Sequence, residues 1–341
     1  MIRKAFAGLA FVLLLLIALN WELISYGVQQ GVGQFKIVWE ARPVNEVMID
    51  PQFPDSLKRK LKFIEEVRQY AIDSLDLKDT ENYKTIYDQQ GKELMWVVTA
   101  CEPFSFTQKL WKFPVLGSVP YKGFFNEQRA LKEREKLLAE GWDVSIRNPG
   151  GWSTLGWFTD PILSGMLERS EGDLASLIIH EMVHATIFVK DSIEFNENLA
   201  SFIGDCGAEE FLRDRGGADS TLLIRYRQEG NDFAMYASHM LRGFTYLDSL
   251  YRSFTHKAEE EKKALKKSAI ERIIKRADTL PLVLMQRPAT RFANRLPNNA
   301  YFMNFRRYQS RQESFRKEWR ESFGSDLRRY IEHHARVHPF L

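Results

Sequence analysis

His180, Glu181 and His184 are the residues of this chain best placed to do chemistry together. They lie in the run Asp173-Leu174-Ala175-Ser176-Leu177-Ile178-Ile179-His180-Glu181-Met182-Val183-His184. The apolar residues of that run suit a buried helix, with Asp173 as its expected cap. Two histidines four positions apart stand one turn apart on one helical face, so their ring nitrogens can converge on a tetrahedral zinc ion. Glu181 is rotated from His180 by about 100°. It therefore points past the metal, where it can take a proton from bound water rather than ligate. Without a metal, two imidazoles and a carboxylate buried in so apolar a helix would each need another partner.

A catalytic zinc takes three protein ligands and keeps one position open. Glu197 lies 197 − 184 = 13 positions past His184 and is expected to open a second helix. Ala200, Ser201 and Gly204 would let that helix pack closely across the first. Glu197 is the favoured third ligand, with Glu194 and Asp205 as competitors. A histidine six residues after His184 is excluded, because that position is Lys190.

Several elements must hold these residues. Asp55 opens a helix with Leu57, Leu61, Ile64, Val67 and Ala71 at helical spacing. Residues 95–100 form a short β-type run, and 125–140 an amphipathic helix stopped by Gly141. Residues 143–147 alternate as a strand, 153–158 form a second short strand candidate, and the chain beyond Pro161 is mostly helical. The Lys- and Glu-rich stretch 254–276 reads as an exposed helix or hairpin arm. The fold class is α+β, predominantly α-helical, with a small early β region and a helical carboxy-terminal half.

The whole chain has 341 residues, 44% of them hydrophobic, enough for one well-buried domain, expected over 27–341. A net charge of only +3 gives no reason to expect nucleic acid as a partner. Residues 286–341 hold 12 Lys/Arg against 5 Asp/Glu, an excess of 12 − 5 = +7 that includes Arg306, Arg307, Arg316, Arg328 and Arg329. That cluster reads either as the solvated face of terminal helices or as a contact with anionic head groups. Cys101 and Cys206 allow at most one bridge. At the amino terminus, Arg3 and Lys4 precede an apolar run over 5–19. Residues 1–26 therefore read as an uncleaved membrane anchor, with the rest outside the cytoplasm on the periplasmic side; a cleaved signal giving a secreted protein is the alternative. Residues 31–54 look like a juxtamembrane connection.

His180-Glu181-x-x-His184 followed by Asn196-Glu197-x-x-Ala200 resembles the glutamate-zincin metallopeptidases. Four segments resemble more closely a bacterial family of predicted aminopeptidases: Val119–Phe125, Trp152–Pro161, the zinc helix with Asn196–Phe202, and Leu296–Ala300. The resemblance implies a zincin-like fold, Zn2+ as cofactor, a peptide or protein substrate and an extracytoplasmic location. Many relatives appear as lipoproteins, a pattern from which this chain departs, since no cysteine follows its apolar run. In zincins an edge strand beside the metal pairs with the extended substrate. Residues 153–158 are the candidate, with Thr154, Leu155 and Gly156 at its centre and Gly156 open to close backbone approach.

The expected reaction is water attack on a peptide carbonyl, with Glu181 as general base. Tyr301, Tyr308 and His239 are candidate donors to the developing oxyanion; Tyr301 is preferred because it follows Asn298-Asn299-Ala300. Glu194, Glu209 and Glu210 are undivided candidates for holding a substrate amine. An endopeptidase of envelope proteins and a catalytically silent zinc-binding interaction module are the competing functions. Oligomeric state is not legible.

Overall fold

The protein is described from a computed structural model, which covers residues 6, 15, 18–113, 117–149, 159–190 and 192–340. The expected substrate strand, with Thr154, Leu155 and Gly156, lies outside the described residues.

The described chain is predominantly helical α+β. Helix α1 (Trp21–Glu40) leads into β1 (Arg42–Pro43), α2 (Val44–Ile49) and α3 (Asp55–Asp73). Strands β2 (Thr85–Tyr87), β3 (Trp96–Cys101), β4 (Trp111–Phe113), β5 (Gly117–Val119) and β6 (Lys122–Phe124) precede α4 (Glu127–Ala139), β7 (Asp143–Arg147) and β8 (Ile162–Leu163). Then follow α5 (Glu171–His184), α6 (Ile193–Gly216), α7 (Thr221–Arg252), α8 (Glu259–Ala277), α9 (Pro288–Arg291), α10 (Asn299–Gln309), α11 (Gln312–Phe323) and α12 (Leu327–Val337).

Three small sheets form among the described residues. β3 is the centre of an antiparallel sheet ordered β6-β3-β7, with Val97 opposite Arg147. β2 joins β1 antiparallel and β8 parallel, and β4 pairs with β5. Alternation along β3 sends Val98 and Ala100 into a core with α4, where Ala130 and Leu137 are buried. The opposite face carries Val97 and Arg147 to a cleft.

The largest core is built on α3, α5 and α6, whose Leu61, Phe63, Ile64, Leu174, Ile178, Phe202 and Ile203 are buried together. A second core joins α7, α8 and α10 through Met240, Leu247, Ile270, Ile273 and Phe302. The expected arm 254–276 is thus a packed helix, since its one apolar face meets α7. Gly204 explains the close crossing of α5 and α6. A Cβ there would sit 2.8 Å from the Ser176 carbonyl oxygen and 3.2 Å from His180 Cβ.

Three local expectations change. The zinc-motif helix is capped by Ser170, whose Oγ accepts the Asp173 N–H at 3.2 Å, so Asp173 lies inside the first turn. Glu197 sits one turn inside α6, which begins at Ile193. The expected connection over 31–54 is ordered: its first part belongs to α1, which runs from Trp21 through Glu40, and β1 and α2 follow. Tyr26 Oη and Gln30 Nε2 both donate to the Gly123 carbonyl, and Gly33 leaves room for the Phe125 ring. The outer side of α1 shows Trp21, Val28, Val32, Phe35 and Trp39, each at least 60% exposed. Among the described residues no helix is long and apolar enough to cross a membrane. Both cysteines are buried and free.

Candidate active site

α5 presents His180 and His184 on one face, and α6 brings Glu197 to them. The two Nε2 atoms are 3.1 Å apart. Glu197 Oε2 lies 3.6 Å from His180 Nε2, and Glu197 Oε1 lies 3.8 Å from His184 Nε2. Centre-to-ligand distances of about 2.0–2.2 Å imply tetrahedron edges of about 3.3–3.6 Å, so the three donors stand within a few tenths of an ångström of the spacing a zinc ion needs. These three residues form the one metal-capable cluster found among the described residues. Of the competitors for the third position, Glu194 pairs with Arg306 and Arg311. Asp205 accepts from Ser176 Oγ at 2.9 Å and Tyr226 Oη at 3.2 Å.

Glu197 is held by its neighbours in sequence. Asn196 closes the α5–α6 loop by accepting the Val189 N–H and donating to the Val189 carbonyl, both at 2.9 Å. Asn198, fully buried, donates to the Glu194 and Arg307 carbonyls and accepts the Arg311 N–H. It thereby satisfies a last-turn carbonyl of α10 that the helix leaves open, and fixes the end of α10 against the start of α6. His180 is supported from its other ring nitrogen by Ser201 Oγ at 3.5 Å. Such outer partners orient metal-binding imidazoles.

The electrostatics separate the two glutamates. Burial, and then the Glu197 and Asp160 carboxylates, push Glu181 up to about 7 against the pull of His180. Its Oε2 is buried with no hydrogen-bond partner. Burial works against Glu197 too, but the bond from His180 and the charges of His184, His180 and Arg147 hold it down at about 2. Burial lowers His184 to about 4. Burial also acts to lower His180, but Glu197, Glu181 and Asp205 outweigh it and raise it. One carboxylate is thus held charged beside the imidazoles, and the other is poised to exchange a proton near neutrality.

All four residues open into a cleft of about 620 Å³, whose wall includes Tyr121, Arg147, Arg307 and Tyr308. Tyr301 is not among the residues that line it. Its hydroxyl meets Tyr236 Oη at 3.0 Å within the second core, and it faces a separate hollow beside Asn298. The segment that made Tyr301 attractive is structural: Asn299 holds a loop, and Tyr301 follows it into packing. His239 also lies elsewhere, bonded to the Ile273 carbonyl. Tyr308 does reach the cleft, accepting from Arg147 Nη2 at 3.0 Å. None of Glu194, Glu209 and Glu210 lines the cleft.

Arg147, Arg307 and Tyr121 went unnoticed in the sequence. Arg307 belongs by sequence to the basic terminal helices, yet it is only 5% exposed. The available signals were position: Arg147 ends the predicted strand, and Tyr121 lies in the Val119–Phe125 segment.

A family model described as "Putative aminopeptidase" matches residues 25–339. The chain belongs to this family. The match runs over both cores and contains the whole cleft, so the aminopeptidase family's description points to a peptidase. Searches of curated proteins and of solved structures each found no match.

Proposed function

We propose that this member of the aminopeptidase family is a zinc-dependent peptidase of zincin-like, glutamate-zincin type. The observation that carries the reading is the convergence of His180, His184 and Glu197 beside a buried Glu181 oxygen that has no partner among the described residues. His180, His184 and Glu197 would hold Zn2+ and leave its fourth position to solvent and substrate. The ion, when bound, supplies Lewis acidity toward the peptide carbonyl and acidifies its water.

Glu181 takes the proton of the attacking water and passes it to the leaving amine. Its raised affinity for protons, set by burial, suits both transfers. Tyr308, steadied by Arg147, is the donor on the cleft wall that replaces Tyr301 as candidate stabiliser of the oxyanion. The enzyme acts outside the cytoplasm, tethered through the apolar run at 5–19 that precedes α1.

The test uses matched peptides with free and acetylated amino termini, with and without a chelator. An aminopeptidase cleaves only the free form, loses activity to the chelator and regains it with zinc. Equal cleavage of the acetylated peptide moves the protein to the endopeptidases. Full activity after chelation removes zinc from the account, and zinc retention without hydrolysis of either peptide leaves a binding module.

A further inference from the structure

Two guanidinium groups line the cleft without an ion-pair partner among the described residues; the Glu197 carboxylate, which faces the imidazoles, acts on them through its charge alone. Arg147 Nε and Arg307 Nη1 are both buried donors with no acceptor among the described residues. The other bonds of these side chains go to neutral groups: Arg147 Nη2 donates to Tyr308 Oη at 3.0 Å, and Arg307 Nη2 to Gln108 Oε1 at 2.7 Å. Neither makes an ion pair among the described residues, although the surface arginines beside them do: Arg306 and Arg311 share Glu194. A buried charge without a paired counter-charge is costly. The two are also close enough to repel: burial, and after it the Arg147 charge, lower the basicity of Arg307, against the opposing pull of Tyr308, Glu197 and Tyr121.

The cleft offers them no spare acid. Glu197 turns one oxygen to each imidazole, Glu181 belongs to the reacting water, and Asp205 is bound to Ser176 and Tyr226. Asp173 is solvent-exposed. What would complete the pair is therefore a ligand, and a guanidinium fork matches a carboxylate. The size agrees: about 620 Å³ is within the roughly 300–1,000 Å³ of small-ligand sites.

We propose that Arg147 and Arg307 form a carboxylate-binding subsite of the active-site cleft, so that the substrate is a short peptide whose own carboxylate docks there. The inference rests on the peptidase reading for the word substrate, but the subsite can be tested by binding alone. Nothing in it competes with amine recognition. A short peptide offers both ends at once, and the carboxylate end sets how long the substrate can be.

The experiment is calorimetric titration of the full chain carrying Glu181→Gln. The probes are a tripeptide as free acid, the same tripeptide amide, and amides with Glu or Gln at one side chain. The free acid should bind about ten- to a hundredfold more tightly than its amide, the gain expected from charge-assisted hydrogen bonds. Arg147→Gln and Arg307→Gln, each added to Glu181→Gln, should remove most of that preference, weakening the free acid far more than the amide. Arg147 is half-buried where Arg307 is only 5% exposed, which makes Arg147→Gln the safer variant for folding. Preference for the Glu-bearing amide over the Gln-bearing one would assign the subsite to an acidic side chain rather than the terminus. Equal affinity for every probe, or no binding by any, overturns the subsite. Wild-type protein that fails to hydrolyse a probe its Glu181→Gln form binds would sink the peptidase reading alone.

Discussion

Two buried polar clusters in this protein are built on opposite terms. Around Asn299, at the start of α10, every group finds a partner. Its Nδ2 faces the Glu102, Pro103 and Ser105 carbonyls, its Oδ1 accepts from Tyr251, and its N–H donates to Asp143, which Lys266 also meets. Elsewhere, on α7, Asp232 accepts three successive backbone N–H groups, from Val283, Leu284 and Met285, and the Gln228 amide. Around α5 and α6, by contrast, Glu181 Oε2, Arg147 Nε and Arg307 Nη1 are left without any. Orphaned buried polar atoms cost about 1–3 kcal/mol each. A chain that can satisfy Asn299 five times over is able to satisfy Glu181. The difference marks the first cluster as a clamp and the second as a place where something else completes the bonding.

That contrast is most exposed at Glu181. Glu181→Gln should lower kcat about 10²–10⁴-fold, while leaving the melting temperature unchanged or higher, because no protein hydrogen bond is lost. A marked fall in melting temperature would show Glu181 to be a structural residue like Asn299. A pair of tyrosines gives the next largest effect. Tyr308→Phe should reduce kcat about 10²-fold or more, and Tyr301→Phe less than about threefold, since its hydroxyl is spent on Tyr236. Steady-state kinetics of both variants separates them, and the reverse order would restore Tyr301.

On the clamp side the signs invert. Asn299→Ala should cost about 3 kcal/mol in denaturant unfolding, by stranding the Tyr251 hydroxyl and three carbonyls. The fraction that remains folded should keep its kcat/KM. Asp232→Asn has the smallest effect and the clearest pH signature. Burial opposes ionisation of Asp232, but the Met285, Leu284, Gln228 and Val283 donors outweigh it and lower the carboxyl below its usual range. Its stabilising contribution is therefore complete above the unfolded-state pKa and lost as pH falls through the lower folded value. The stability gap between wild type and Asp232→Asn should be constant near neutrality and close in acid; a gap that widens in acid contradicts the nest.

The proposed metal site was legible in the sequence and its wall was not, for a physical reason. His180, His184 and Glu197 announce themselves through helical spacing and residue type, because one ligand set sits on two consecutive helices. The strands Trp96–Cys101 and Asp143–Arg147 and the helix Glu127–Ala139 were legible from alternation and from Gly141. Arg147, Arg307, Tyr121 and Tyr308 come from four separate stretches that meet only in three dimensions. Arginine in a basic terminal helix looks like any solvated residue until the fold buries it. Asn298 and Asn299 misled in the opposite direction, since a dense polar motif reads as chemistry when its work is to tie a loop to α10. Continuity of α1 was also hidden: Gly27, Gly31 and Gly33 have poor helix propensity, and it is tertiary packing, of Tyr26 against Phe113, of Ile37 in the main core and of Gly33 on Phe125, that supports it.

The central claim is a metal held by two imidazoles and one carboxylate with a vertex left over. X-ray absorption at the zinc edge, on the full chain loaded with one equivalent of zinc, reads that coordination directly. The account predicts two imidazole nitrogens and light oxygen donors in a four-coordinate shell, with one nitrogen lost in His184→Ala. A spectrum without imidazole scattering, or a shell that the His184→Ala change leaves intact, would contradict it.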